Sequence, residues 1–502
     1  MSNVKNIKNN FIFSVISQII TICIGLIIPK ITLLEYGSEV NGLLSSVNQL
    51  IIYLSLFEAG IQQVAIKSLY KPVHDDSKDD INAILSAVNK SYKKVGFFYS
   101  VGLVLLAGIY PLFVASKNID YLTVFCVVLF SGLGNAILFF AQGKYRILLQ
   151  VEGKNYILTN IQTIIWTLNS LSKIILLLLH YNVAVVIFVN FLISLLQVIY
   201  IYCYINKRYK WINLKVTPNK QALNQKNFML IHQISGLIFN NTDVLLITFF
   251  CGLETVSVYA IYKLVITHID SILQTVYSSF SFYLGQLFNT DKTKYIKVID
   301  MVEVYYSAGV FAVYTVTSCL ILPFVSLYTN GVTDIEYIRK TFAVMIICVE
   351  LLTFMRIPML NTINYAGKFK DTVRQSVLES AINIVVSIIG VILWDIQGVL
   401  LGTIVALLYR TTEVIVYTNK KILNRSSKKT FSIYLIDILL LLFVVTVYNL
   451  INIDVNSWKI FIITGVCLTP CVVLLNFAIM SLVFRNESIQ IKNVLMKKLS
   501  RR

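Results

Sequence analysis

The sequence predicts an all-α, polytopic membrane protein of about 14 transmembrane helices, built as two six-helix lobes in parallel pseudo-repeat plus two C-terminal helices. Three observations lead to this prediction. Of the 502 residues, 57% are hydrophobic and only 14% are charged, whereas soluble domains carry about 25% charged residues. Apolar segments long enough to span a bilayer recur along the chain. Short motifs also recur at a nearly constant distance, which indicates an internal repeat.

The apolar segments are read as helices, because a helix satisfies its own backbone hydrogen bonds in lipid. They lie near residues 11–34, 42–66, 95–116, 120–143, 156–180, 183–206, 229–250, 256–288, 301–328, 339–363, 376–394, 398–418, 433–453 and 459–484. Transmembrane strands would show short segments of alternating polarity, which these runs lack. Between the second and third runs, residues 78–92 have an amphipathic pattern that predicts a helix on the membrane surface.

Basic residues indicate the orientation. Of the 43 Lys and Arg residues, 34 lie in the two tails and in every second connection, and five lie in the other connections. The positive-inside rule therefore places both termini in the cytoplasm. The net charge of +18 is then a sign of topology and of attraction to anionic lipid, rather than of nucleic-acid binding.

Three pairs of matching motifs support the repeat. They centre on Gly37 and Gly252, Gly153 and Gly367, and Pro111 and Pro323. The predicted domains are an N-terminal lobe, 1–215, a C-terminal lobe, 216–430, and a segment, 431–502, with two extra helices and a basic tail. Six is an even number of spans, so both lobes have the same orientation. Two packed lobes with a cleft between them suit transport by alternating access.

Polar residues at helical spacing follow the first two helices of each predicted lobe, which should face each other across the cleft. The amides proposed to line this cleft are Gln18, Asn48, Gln49, Asn240 and Gln274. Asp243 and Asp270 are candidates for coupling transport to an ion. The serine, threonine and glycine positions suit helix packing better, because small residues also form seams between membrane helices.

Four basic residues lie within the apolar runs, where a charge is costly: Lys173, Lys263, Arg356 and Arg410. Lys263 begins the most regular polar stripe and is the first candidate for binding an anionic cargo, followed by Lys30 and Arg356. The structural alternative is a salt bridge between Lys263 and Asp270.

The sequence lacks a nucleotide-binding motif and cysteines with the spacing of a metal site. It has no G-x-x-x-x-G-K-[ST] motif for nucleotide phosphates. The eight cysteines lie in apolar runs without metal-site spacing, so no disulfide, metal or cofactor is predicted. These features argue against an enzyme.

Several local motifs resemble a known family over roughly residues 5–430. They are Asn9-Asn10, Pro29-Lys30, Tyr36-Gly37 with Gly42 and Gln49, Gly60, and the segment 243–247 followed by Gly252 and Tyr259. With the predicted architecture, they resemble the Wzx-type polysaccharide flippases, in the multidrug/oligosaccharidyl-lipid/polysaccharide exporter superfamily.

The resemblance implies a bacterial cytoplasmic-membrane protein that flips undecaprenyl-pyrophosphate-linked oligosaccharide repeat units from the inner to the outer leaflet. The product would be O-antigen, lipopolysaccharide or capsule. The implied partners are this lipid-linked oligosaccharide, membrane lipid, H⁺ or Na⁺, and the polymerase and other polysaccharide assembly proteins.

Two alternatives remain at this point. A cation-coupled multidrug exporter of the same superfamily should prefer acidic groups in its cleft, whereas this sequence mixes both signs. A membrane polysaccharide polymerase, which would be an enzyme, should have a large outer loop, and the predicted outer connections are short.

The predicted topology is testable with reporter fusions. We expect fusions after Lys90, Lys220 and Lys429 to report the cytoplasm, because the connections there are basic. Fusions after Glu39 and Glu254 should report the outside. A well-expressed fusion on the opposite side would contradict the number of spans before it.

Overall fold

The computed structural model describes residues 2–58, 61–116, 118–219 and 226–490. Within these ranges it does not describe the side chains of residues 2–23, 57, 63, 226–235, 237, 238, 240, 282, 369 and 370. The described residues form α-helices joined by short turns, without a β-strand, and the predicted all-helical class is confirmed.

The helices follow one another closely along the chain. They are α1 (Ser2–Leu54), α2 (Ile61–His74), α3 (Lys78–Ile109), α4 (Pro111–Val114), α5 (Tyr121–Ala141), α6 (Gly143–Val151), α7 (Asn155–Leu178), α8 (Val183–Arg208), α9 (Lys226–Cys251), α10 (Leu253–Thr290), α11 (Lys292–Tyr328), α12 (Lys340–Met355), α13 (Ile357–Tyr365), α14 (Phe369–Tyr417), α15 (Lys428–Ile451) and α16 (Trp458–Val483).

Ten stretches of the described chain are helical, long and apolar enough to cross a membrane, which identifies a multi-pass membrane protein. Two of the long helices each join two predicted spans across non-helical residues. In α1 the break is at Gly37, and in α14 it is at Trp394 and Asp395. The total of fourteen crossings and the layout in two lobes stay predictions.

The amphipathic segment 78–92 was wrongly predicted to lie on the membrane surface. It is the first half of α3 and continues without a break into the apolar span. Ile84, Leu85 and Val88 are buried in a hydrophobic core shared with α2, α5 and α6. The side chains of Asn82 and Ser86 also bind backbone atoms of residues 211–216. The apolar face of this segment is therefore covered by protein.

Residues at matching positions of the predicted repeat share unusual backbone geometry. Gly37 and Gly252 have φ of 78° and 86°, and Gly153 and Gly367 have φ of 70° and 65°. This left-handed region suits glycine, which has no Cβ to clash with the backbone. In addition, Gly153 and Gly367 both end a short helix, α6 or α13, with the same pattern of backbone hydrogen bonds.

Contacts between residues divide the chain into two compact units, 1–258 and 259–502. In the first unit, α1 packs on α7, α5 packs on α3 and α8, and α9 packs on α1. In the second, α11 is central and packs on α12, α15 and α16, while α12 also packs on α14. The predicted domain limits at 215 and 430 stay a prediction.

An ionic cluster joins three segments of the second unit. Arg425, in the turn before α15, bonds Asp300 and Glu303 of α11, the latter at 2.6 Å. Lys429 bonds Asp300 and Glu487, both at 2.6 Å, and thereby includes the segment after α16. Each buried acid in this cluster has a cation beside it, as a stable buried ion pair requires.

The two segments of α14, before and after the break at Trp394 and Asp395, cross with their backbones in contact. An added Cβ on Gly398 would lie 1.9 Å from the carbonyl oxygen of Gly390, and one on Gly402 would lie 2.1 Å from the Ser387 hydroxyl. The Asn383 amide donates to Thr403 Oγ1 at 2.9 Å across the same crossing. Small residues thus allow the two backbones to touch.

This crossing should not tolerate a methyl group. We expect Gly398→Ala to destabilise the second unit by about 1–3 kcal/mol, because the new Cβ must push one backbone away from the other. Thermal unfolding of the purified protein in detergent measures the change. The matched control is Gly108→Ala in α3, where an added Cβ meets no atom within 4 Å. Equal melting temperatures for the two variants would contradict the close crossing.

Candidate functional site

The first unit contains a polar cavity of about 890 Å³ lined by α1, α5, α6, α7 and α8. Pockets for small molecules usually measure about 300–1,000 Å³. Seven of the described lining side chains are amides: Asn41, Asn48, Asn135, Gln162, Asn169, Asn190 and Gln197. Serine and threonine hydroxyls lie between them. The interior of this unit therefore presents neutral hydrogen-bonding groups within an apolar helix bundle.

Helix α7 supplies one complete side of the cavity. Gln162, Trp166, Asn169 and Lys173 all line it, and their spacing of four, three and four residues places them on one helix face. Among the described lining residues, Trp166 is the single tryptophan. One helix thus presents an amide, an aromatic ring, a second amide and a cation to the same space.

In the side-chain amides of Asn169 and Asn190, one of the two polar atoms has a hydrogen-bond partner and the other has none. The Ser172 hydroxyl donates to Asn190 Oδ1 at 2.9 Å, and Asn169 Nδ2 donates to Ser194 Oγ at 3.2 Å. Asn190 Nδ2 and Asn169 Oδ1 are buried and have no partner among the described residues. Asn190 is only 8% exposed. A buried amide atom without a partner is costly, so these two atoms are polar groups that the packing of α7 and α8 leaves unsatisfied.

The cavity is also cationic. Arg146 and Lys173 line it, and no carboxylate is found among its described lining residues. Neither cation has a carboxylate oxygen within 4.0 Å in the described part of the chain. The sum of these charges favours an anion in the cavity.

Lys144 lies on the same short helix as Arg146 but has a different environment. Its Nζ donates to Asn89 Oδ1 of α3 at 2.8 Å, and its side chain is buried. Burial, together with the nearby charge of Lys93, lowers the pKa of Lys144 to about 8. Lys144 therefore belongs to the contact between α6 and α3, and Arg146 is the cation that α6 gives to the cavity.

The second unit arranges its charges differently. Lys263 Nζ on α10 lies 2.5 Å from Glu350 Oε1 on α12. The Lys263 side chain is 35% exposed, whereas that of Glu350 is 4% exposed. Asp270, one of the predicted coupling acids, accepts a hydrogen bond from the Tyr314 hydroxyl and lies within electrostatic reach of both Lys263 and Glu350. Lys263 therefore forms its ion pair with Glu350, beside a second acidic residue, Asp270.

A second buried network holds Arg356 and Arg410, the two other basic residues that lie within apolar runs of this unit. Arg356 bonds Glu379, and Arg410 Nε lies 3.4 Å from the other oxygen of the same carboxylate. Arg410 also bonds Glu413 at 2.5 Å. This alternation of charges connects the turn between α12 and α13 with α14 and satisfies groups that would be costly alone.

The predicted site residues are distributed over several environments. Asn48 lines the cavity of the first unit, and Gln49 donates to the Asn241 side chain on α9. Lys30 is half-buried beside the lining residue Pro29, and Gln274 is exposed on α10. Asp243 is buried on α9. The side chains of Gln18 and Asn240 lie outside the described residues. The roles proposed for all of these stay predictions.

Sequence reasoning missed most of the cavity. It identified Lys173 as a charge inside a span but did not connect it with Arg146, Trp166, Asn169 or Asn190. The signal was present in the fifth apolar segment, where polar residues and the tryptophan recur every three or four positions. In the described residues, no group of His, Cys, Asp and Glu is arranged to hold a metal ion.

Comparison with other proteins identifies the fold. No protein-family model and no curated protein sequence matches the chain. Among solved structures it is similar to the lipid II flippase MurJ in an inward closed conformation, with a TM-score of 0.68 and 13% identity. The match covers 95% of this chain and 99% of MurJ.

Multidrug transporters of the MATE family also match. The chain is similar to a MATE structure in complex with MaL6, with a TM-score of 0.56, 13% identity, and coverage of 82% of this chain and 96% of that one. An inward-facing MATE transporter of the MOP superfamily gives a TM-score of 0.53, 13% identity, and coverage of 80% and 95%. The chain therefore has the fold of these membrane transporters.

The charges around Lys263 give a prediction about stability. Lys263→Met leaves the buried Glu350 and Asp270 without their cation, and we expect a loss of about 3–5 kcal/mol. Glu350→Gln should cost less, because Asp270 remains as a partner for Lys263. The double variant should recover much of the loss caused by Lys263→Met. Thermal unfolding in detergent tests this order.

The control for this series is Lys297→Met, at an exposed position of α11. Surface substitutions of this kind usually change stability by less than about 0.5 kcal/mol. Losses that simply add in the double variant would contradict a direct pair between Lys263 and Glu350.

Proposed function

We propose that this protein flips undecaprenyl-pyrophosphate-linked oligosaccharide repeat units from the inner to the outer leaflet of the bacterial cytoplasmic membrane, by alternating access. The observation that supports this most is the likeness to a lipid II flippase over 95% of the chain. The oligosaccharide would serve surface polysaccharide such as O-antigen, lipopolysaccharide or capsule. The protein itself would not be an enzyme.

The extent of the match favours a lipid-linked cargo over a drug. The MATE structure is covered to 96% of its length but leaves 18% of this chain unmatched, whereas MurJ leaves 5% unmatched. The difference is comparable in length to the α15–α16 pair, residues 428–483. The greater share of this chain that the flippase matches is what supports a cargo of the flippase's kind.

The charge of the interior favours the same choice. An exporter of cationic drugs benefits from acidic groups along its path, because opposite charges attract. The described lining of the first unit's cavity contains Arg146 and Lys173 and no acid. A pyrophosphate-linked saccharide is an anion, so it complements this interior.

We assign roles to the predicted residues on this basis. Lys263 is the first candidate to attract the pyrophosphate, and Lys30 and Arg356 come next. At Lys263 and Arg356 the pyrophosphate would compete with the paired carboxylates of Glu350 and Glu379. Gln18, Asn48, Gln49, Asn240 and Gln274 would offer hydrogen bonds to the moving glycan. Asp243 and Asp270 are the candidates for coupling to H⁺ or Na⁺. Polymerase and other assembly proteins would receive the product.

The central experiment is transport by the purified protein. Liposomes containing the protein receive a fluorescently labelled undecaprenyl-pyrophosphate oligosaccharide, and a membrane-impermeant quencher reports which leaflet holds the label. We expect label to change leaflet much faster in protein-containing vesicles than in empty ones. Lys30→Gln should slow this step, and Lys459→Gln, at an exposed position of α16, is the control.

The multidrug alternative predicts the opposite pattern in the same vesicles. Ethidium, a cationic drug, should cross the membrane in response to an H⁺ or Na⁺ gradient, and the lipid-linked label should stay in its leaflet. That result would refute the proposed function. In the host, deletion of the gene should remove surface polysaccharide without changing drug tolerance.

A further inference from the structure

We infer that Asp437 of α15 binds a proton and that loss of this proton loosens the contact between α15 and α11. This inference goes beyond the proposed function, because it needs no particular cargo and concerns a residue to which no role has been assigned. Asp437 lies nine residues after the start of α15, about 14 Å along the helix axis. The arrangement of polar residues between the two helices carries the inference.

Two polar contacts connect α11 with α15. The Thr430 hydroxyl of α15 donates to Glu303 Oε1 of α11 at 2.9 Å. One turn further along α11, the Ser307 hydroxyl donates to Asp437 Oδ2 of α15. All four side chains are buried. The contact between the two helices therefore encloses two acidic residues.

These two acids differ in what surrounds them. Glu303 has the Arg425 guanidinium beside it at 2.6 Å in addition to Thr430. Asp437 is fully buried, and no cation of the described chain lies within 4.0 Å of it. Its Oδ1 is buried and has no hydrogen-bond partner among the described residues. A buried carboxylate with one hydroxyl as its partner is very costly, whereas a neutral carboxyl group costs much less, so the packing favours the protonated form.

In the described part of the chain, no residue around Asp437 replaces the missing cation. The titratable or charged residues that the surrounding elements bring to this region are Tyr434 of α15, Glu303 and Tyr306 of α11, Arg425 of the preceding turn, and Arg356 between α12 and α13. Both arginines are already paired with carboxylates. The remaining element, α16, carries Lys459, Cys467 and Cys471, which are all exposed. Protonation is therefore what removes the charge of Asp437.

The site fits a proton better than a metal ion. A metal ion needs several ligand oxygens around it, and the described surroundings of Asp437 offer one hydroxyl and leave no accessible surface at Oδ1. A proton needs no such space, because it adds to an oxygen of the carboxylate itself. Ser307 and Tyr434 also line a cavity of about 10 Å³, at the lower limit for one water molecule, which would be the nearest proton carrier.

Ionisation of Asp437 should loosen the contact that encloses it. When the proton passes to water, the remaining carboxylate is stable only if water or further donors reach it. The closed contact offers neither, so α15 has to move away from α11 at this point. At the start of α15, the ionic cluster around Arg425 and Lys429 keeps the helix attached to α11. Opening is therefore expected further along α15, at Asp437.

The first test is infrared spectroscopy of the purified full-length protein in detergent, because a protonated carboxyl group has a C=O stretching band separate from the bands of a carboxylate. We expect the wild type to show an acid band at neutral pH that Asp437→Asn lacks. Asp454→Asn, at an exposed position after α15, is the matched control and should leave the band in place. Ser307→Ala should keep the band and shift it, because the frequency depends on the hydrogen bond.

The second test is the melting temperature as a function of pH. From about pH 4, where an unfolded aspartate ionises, the wild type should lose stability as the pH rises, because the folded protein holds a proton that the unfolded chain has released. The unfolding equilibrium should change by up to about tenfold per pH unit relative to Asp437→Asn, which copies the neutral carboxyl group. Replacing KCl with NaCl should change neither curve.

Several results would overturn the inference. Identical infrared spectra of the wild type and Asp437→Asn would mean that Asp437 carries no proton, and equal pH dependence of their melting temperatures would mean that the proton does not hold the helices together. Stabilisation by Na⁺ that Asp437→Asn abolishes would assign the site to a metal ion. If Asp437→Asn does not fold, an acid band that Ser307→Ala leaves unshifted would refute the inference. None of these results depends on transport, so the proposed function is tested separately.

Discussion

The cost of placing charge among apolar helices determines where the polar residues of this protein lie. An isolated charge in such surroundings is unfavourable by several kcal/mol, so it must meet an opposite charge or a polar space. In the second unit the cations meet opposite charges, with Lys263 beside Glu350 and Arg356 beside Glu379. In the first unit Lys173 meets a polar space, because it lines a cavity that amide side chains also line. The two units thus have the same kind of helices but different interiors.

Under the proposed function, this difference bears on where the protein would hold an anionic cargo. Ion pairs fix the charges of the second unit to its own helices, so a cargo there has to compete with carboxylates that are already bound. In the cavity of the first unit, no described carboxylate competes.

Much of the helical framework could be predicted from the sequence, and the site largely could not. Hydropathy locates the helices, because lipid imposes the same requirement on each of them. The glycines at 37, 153, 252 and 367 could also be identified, because a left-handed backbone restricts the choice of residue. The partner of Lys263 could not, since Glu350 lies 87 positions away and only packing of α10 near α12 brings it close. Residues 78–92 were misassigned because an amphipathic face looks the same whether lipid or protein covers it.

The crossing at Gly390, Gly398 and Gly402 has a mechanical consequence. Where two backbones touch, there is no layer of side chains that could change rotamer and let one helix slide past the other. Hydrogen bonds from Asn383 and Ser387 across the same surface oppose rotation as well. The two arms of α14 should therefore move as one rigid element, and any bending of the second unit has to occur at other joints of its chain.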